Sequence, residues 1–302
     1  MQSLSRGWSF LKQAWGMALK DRDLVKPSIF ALIAGMIVSV IGIIPIIGAA
    51  MIFPDSQIGN GIMFIFGAIL VFAQFVVSYI FSAMTVYLIY GYLAEGDGRM
   101  DKAWAIVSRD FFDILTLAAA STAVNLLRSI AQRNQRGGIA AGAARAATGL
   151  LQTLWTEAAA LVLPAMVIDD LNLKNGLSRV WQITKENLLL IGISTVGVGF
   201  VTGLIGFFLG LIGAVIGFAL GYGIFFLLGG ETPGLVIGIA LGALIFFGFI
   251  MVASVVSTYT RTAYHTCLYL WARATEKARE QGSTDLVPAP APLAMVLENA
   301  TT

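Results

Sequence analysis

Apolar residues fall along this chain in long blocks separated by short polar ones. The blocks are longer than the strands or amphipathic helices of a soluble domain require. The longest, Leu188 to Gly230, contains no charge and no proline. Glycines run down it at Gly199, Gly203, Gly206, Gly210, Gly213, Gly217 and Gly221, at intervals of 4, 3, 4, 3, 4 and 4. Those intervals place all seven on one side of a helix. Glycine costs about 1 kcal/mol against alanine in a soluble helix, so the repeat suits lipid, where a glycine stripe lets a second backbone approach closely. Packing within the chain and contact between copies both fit the stripe; packing within the chain is the favoured reading.

The other blocks are Ser28 to Phe53, Ile62 to about Leu93, Phe111 to Leu127, Ala146 to Ile168, and Leu235 to Tyr259. Each approaches or exceeds the roughly 20 apolar residues that cross a bilayer as a helix. Pro45 lies inside the first and is expected to kink it. The stretch from Leu188 to Gly230 would make a helix of about 65 Å, twice the need. Six spans are therefore expected, with residues 211–230 as a re-entrant or partly buried segment. Ahead of the first block, Trp8, Leu11, Trp15 and Leu19 sit at helical intervals among basic residues, the pattern of a surface amphipathic helix.

A pattern recurs three times. Arg6-Gly7-Trp8 with Lys12, Lys102-Ala103-Trp104 with Arg109, and Arg179-Val180-Trp181 with Lys185 each precede a long apolar region. Tryptophan between basic residues is an interfacial anchor. The fold class expected is an all-α integral membrane protein of about six transmembrane helices, arranged as three hairpins, each preceded by an amphipathic interfacial helix. One membrane domain covers 1–280, in repeat-like units of about 1–94, 95–170 and 171–280. Residues 281–302, with Pro288, Pro290 and Pro292 among alanines, read as a flexible tail. The helix after the last block is expected to carry Tyr264, Tyr269 and Trp271 at the membrane interface.

Composition agrees with this class: 58% hydrophobic and 12% charged residues, with a mean hydropathy of +0.83. A net charge of +2 argues against nucleic acid as a partner. The placement of charge says more. Basic residues gather in 1–27, 99–109, 174–185 and 261–279, which the positive-inside rule puts on the cytoplasmic side together with both termini. Arg128, Arg133, Arg136 and Arg145 are the exception; the six-span topology places them on the outer side. The expected location is the bacterial cytoplasmic membrane. With one cysteine, Cys267, and one histidine, His265, no intrachain disulfide forms and no metal site is expected. Phosphate-binding glycine loops, HExxH and GxSxG are absent from the sequence, so neither an enzyme nor a cofactor is expected.

Glu157 is the sharpest polar candidate, near the middle of the fourth block. A charge at that depth costs roughly 2.5–3.5 kcal/mol, so it must face the bundle, protonated or paired. Gln74 in the second block is the expected hydrogen-bond partner, with Thr153 one turn away on the same face. Pro164 is expected to open the backbone near the end of that block, with Asp169 and Asp170 solvating the loop beyond.

Trp155, the run Leu163-Pro164-Ala165-Met166-Val167-Ile168-Asp169, and Gly176-Leu177-Ser178-Arg179-Val180-Trp181 with Lys185-Glu186-Asn187 carry a resemblance. So does the last span continuing into Ala263-Tyr264-His265 and Leu268-Tyr269. The chain resembles uncharacterised bacterial multi-pass membrane families of unknown function, distantly similar to the membrane domain of some glycerophosphodiester phosphodiesterases. The resemblance covers roughly 110–275. It implies no catalytic residues, and no phosphodiesterase catalytic domain accompanies it here. The expected role is a scaffold or subunit of a membrane assembly, with membrane lipids, a second copy or other membrane subunits as partners. The alternative is a transporter or channel for a small solute, ion or lipid, with Glu157 in the pathway.

Overall fold

The computed structural model describes residues 2–53, 56–133, 139–229, 231–281, 287, 289–290 and 292–294. Among them there are helices and no strands. The order is α1 (Gln2–Lys20), a 3-10 turn (Arg22–Leu24), α2 (Lys26–Ile52), α3 (Gln57–Glu95), α4 (Met100–Arg109), α5 (Phe111–Arg133), α6 (Ile139–Asp169), α7 (Leu173–Leu227) and α8 (Thr232–Glu280). Six helices contain stretches long and apolar enough to cross a membrane: Arg22–Ile52, Gln57–Glu95, Phe111–Gln132, Ala146–Asp169, Gly199–Leu227 and Thr232–Glu280. The protein is an all-α, multi-pass membrane protein.

Local signals fix the ends. Pro27 sits in the first turn of α2, where its missing N–H costs nothing. Ser56 caps α3 by accepting from the Ile58 N–H at 3.2 Å, and Gly96 ends that helix in the left-handed conformation, φ 81°. Asn172 caps α7 by accepting from the Asn175 N–H. Asp21 ties two junctions together: it caps the 3-10 turn and also accepts from the Gly98 N–H at 2.7 Å.

Helix α7 departs from the sequence pattern in two ways. Residues 211–227 form no re-entrant segment; α7 is one continuous helix of 55 residues, roughly 80 Å long. Its membrane-crossing stretch is the C-terminal part, and the N-terminal part carries Arg179 and Trp181. The third amphipathic stretch is thus not a separate helix like α1 and α4 but the opening turns of α7. Nothing in residues 173–227 breaks it, since no proline interrupts the run. The equivalent stretches otherwise share a geometry. Gly7, Ala103 and Val180 are buried, while the tryptophan after each, Trp8, Trp104 or Trp181, is exposed.

The core is gathered at one end. Phe10 and Ala14 of α1, Met84 and Leu88 of α3, Ile114 of α5, Val162 and Met166 of α6, Val180 of α7, and Tyr259, Tyr264 and Leu268 of α8 form one buried cluster. At the opposite, far end α2 with the first half of α3, and the second half of α7 with the first half of α8, extend as two apolar arms. The most hydrophobic windows of α2 and α3 are 0% buried, and those of α7 and α8 are 11% and 6% buried. Tyr264 and Tyr269 are therefore core residues, not interfacial ones; the helix that carries them is packed on all sides at that level. Described residues near the C-terminus also join the core. Residues 292–294 make a helical turn, and Leu293 is fully buried in the core. Its apolar side chain is better satisfied there than in water.

The α7–α8 arm is held by backbone contact. A Cβ added to Gly217 would lie 2.5 Å from the Gly242 carbonyl oxygen, and one on Gly221 would lie 2.5 Å from the Gly238 oxygen. The reverse holds for Gly242, 2.6 Å from the Gly217 oxygen, and Gly213 meets Phe249. The stripe divides at this point. Gly213, Gly217 and Gly221 are buried against α8, whereas Gly199, Gly203, Gly206 and Gly210 have open space where a side chain would go. Gly221→Leu is expected to cost about 1–3 kcal/mol by forcing the helices apart. Gly210→Leu is expected to change stability by less than about 0.5 kcal/mol. Unfolding of the two variants in detergent distinguishes them, and equal losses would contradict the division.

Candidate functional site

Glu157 of α6 faces the bundle and is paired, but not with Gln74. Its Oε2 lies 3.0 Å from His265 Nε2 and its Oε1 lies 3.6 Å from Arg261 Nη2, both on α8. The α-helical spacing of four puts Arg261 and His265 on the same face. Gln74 turns the other way, donating to the Gly35 carbonyl at 2.8 Å and to Ser39 Oγ at 2.7 Å in α2. Thr153 donates to the Gly149 carbonyl within its own helix. The expected Glu157–Gln74–Thr153 grouping does not form, because a cation and an imidazole satisfy a carboxylate better than a neutral amide does.

The imidazole's hydrogen placement follows from its partners. His265 Nδ1 is 2.8 Å from the Arg261 carbonyl oxygen. A carbonyl only accepts, so Nδ1 carries a hydrogen. The contact between Nε2 and Glu157 Oε2 then needs one further proton, on either the ring or the carboxyl. One proton is thus shared between α6 and α8. The His265 side chain is 4% exposed, Glu157 32% and Arg261 51%, so the three open from buried imidazole to accessible guanidinium. The Tyr264 ring meets His265 edge to face, at 5.3 Å between centroids. Beside this group, Trp155 Nε1 donates to Ser121 Oγ at 2.8 Å, and Ser121 Oγ is 2.7 Å from Tyr79 OH. That joins α3, α5 and α6.

A second polar cluster closes the core end. Tyr269 OH donates to Asp169 Oδ2, and Arg273 Nη2 lies 3.0 Å from Asp169 Oδ1. The helix passes through Pro164 without interruption to Asp169, with Leu163, Ala165 and Met166 buried. Asp169 is therefore bound to α8 and does not solvate a loop. Asp170, in the left-handed conformation at φ 55°, pairs with Arg109 at 3.1 Å. Arg109 also lies 2.6 Å from the buried Asp110, whose carboxylate holds the guanidinium above its ordinary range. Arg179 Nη1 donates to Glu276 Oε1 at 2.6 Å, and that hydrogen bond likewise raises the Arg179 guanidinium.

The remaining sequence candidates are spread out. Lys102 is an exposed ion-pair partner of Glu95. Arg128 donates to Gln152 Oε1 across the α5–α6 pair. Arg136 lies outside the described residues, as do the side chains of Arg6, Arg133 and Arg145. Sequence reasoning missed Arg261 and His265 as partners of Glu157, more than a hundred residues away. The available signal was their spacing of four near the charged end of the last apolar block. Among the described residues no group of three or more His, Cys, Asp or Glu side chains is placed to hold a metal ion.

No protein-family model matches the chain, and no curated protein matches it.

The pairing is testable by a double-mutant cycle. His265→Ala is expected to cost about 2 kcal/mol, the range of a hydrogen bond to a charged partner. Glu157→Gln, which keeps one polar contact, should cost less. The pair should couple by about 1 kcal/mol or more in unfolding measurements; additive losses would show that the two side chains do not depend on one another.

Proposed function

We propose that this chain is a non-enzymatic scaffold or subunit of a membrane assembly. We place it in the bacterial cytoplasmic membrane with both termini on the cytoplasmic side. The observation that carries this reading is the division of labour between core and arms. The charged side chains of the core are spent on one another across helices: Glu157 on His265, Asp169 on Arg273, Arg179 on Glu276. The arms meanwhile present broad apolar faces, such as Ile37, Ile41 and Ile44 on α2 and Phe207, Phe218 and Leu227 on α7. A stapled core with outward apolar arms suits holding shape and offering surface to lipid and to other subunits. Basic segments at the core end support the orientation.

A transporter is the second reading, favoured by the shared proton between Glu157 and His265 and by the partial exposure of that carboxylate. The two separate experimentally. Extraction in mild detergent and native mass measurement should give a species larger than the 32.2 kDa chain; a lone monomer would count against the scaffold. Proton flux into liposomes containing the purified protein should match protein-free vesicles, for wild type and Glu157→Gln alike. Flux abolished by Glu157→Gln would replace the scaffold reading with the transporter.

A further inference from the structure

Between α2, α3 and α8, where the arms leave the core, lies a groove of about 430 Å³. Ser28, Ser39, Gln74, Ser78, Ser254 and Thr258 line it, with aliphatic side chains between them and no charged residue. Several threonines elsewhere in the protein's helices are satisfied locally. Thr85, Thr122, Thr153, Thr156, Thr266 and Thr275 each donate to the carbonyl four residues back. The groove gathers several hydroxyls that are not satisfied locally. Ser28 is 3% exposed and its Oγ has no hydrogen-bond partner. Among the described residues Ser78, Ser254 and Thr258 make no hydrogen bond either. Gln74 commits both amide hydrogens to Gly35 and Ser39, which leaves its oxygen as an acceptor.

Unpartnered hydroxyls beside hydrocarbon are costly. A cluster of them in one apolar-flanked groove points to a ligand that supplies the missing bonds. We propose that this groove binds the polar end of an uncharged glycerolipid of the diacylglycerol type. The absence of a lining cation disfavours a phosphate headgroup. A bare alkyl chain would leave every hydroxyl unsatisfied. A glycerol hydroxyl and two ester carbonyls offer both a donor and acceptors, matching hydroxyl groups that can act as either. The acyl chains would run along the outward apolar faces of α2 and α3.

The test uses the full chain in phosphatidylcholine nanodiscs and a photoreactive diacylglycerol. Ser78→Ala/Ser254→Ala/Thr258→Val removes three hydroxyls that make no bond within the described residues, so the thermal midpoint should stay near wild type. Labelling affinity should fall at least about tenfold, since each lost hydrogen bond is worth roughly fivefold. Ser254→Phe, which fills the groove from a lipid-facing position, should abolish specific labelling and decides the matter if the triple variant does not fold. Unlabelled diacylglycerol should compete, and phosphatidic acid and an alkane of equal length should not. Undiminished labelling of a folded variant would overturn the proposal, as would equal competition by phosphatidic acid or the alkane.

Discussion

The structure depends on the second half of α8. From Ala263 to Tyr269 every residue is buried, so this stretch has no open face. Its neighbours come from the rest of the chain: Phe10 of α1 meets Tyr264 edge to face at 5.4 Å, and the Ala14 carbonyl accepts from Tyr259 OH at 2.9 Å. Trp15 Nε1 donates to Thr260 Oγ1 at 3.1 Å. α6 supplies Glu157 and Asp169, and α7 supplies Arg179. Apolar burial provides the bulk of the attraction. The polar contacts determine which helix lies beside which, because a misplaced partner would leave a buried group unsatisfied.

The arms obey a different rule. In lipid there is no hydrophobic force between helices, and close packing must take its place. Gly217 and Gly221 against Gly242 and Gly238 bring two backbones together where any side chain would intrude. On the other arm, Gln74 reaches across to α2 and Gly42 receives the end of Leu70. One arm is thus joined by the absence of side chains and the other by an amide. The remaining faces are apolar and outward, so the bilayer completes the fold.

Much of this was legible in the sequence, and for identifiable reasons. Long uncharged blocks give spans because a bilayer demands length and apolarity together, and six such helices are present among the described residues. The glycine stripe marked α7 as a close-packing helix, but spacing alone does not tell where along its length the partner lies. Only Gly213 to Gly221 meet α8, because α8 brings its own glycines, Gly238 and Gly242, to that level. The length of α7 is not legible in the sequence because a 55-residue helix exceeds any bilayer; its opening turns, with Val180 and Ile183, belong to the core end. Glu157 stood out as a carboxylate in the middle of an apolar block, yet its partners did not, since pairing across α6 and α8 is a product of helix packing. Tyr264 and Tyr269 looked like interfacial aromatics because the same residue types serve both places; only the surrounding helices decide.

Cys267, the chain's single thiol, lies in the middle of the all-round buried stretch and is itself fully buried. Arg261 and Arg273 bracket it, so if α8 were unpacked at this level the thiol would meet water. The most direct measurement is therefore the rate at which a small water-soluble maleimide labels Cys267 in native membranes, against the same protein in denaturing detergent. A packed second half of α8 predicts negligible labelling in the membrane and rapid labelling once denatured. Equally rapid labelling in both would contradict the account, because it would mean that the helix on which the rest of the chain assembles stands open to solvent.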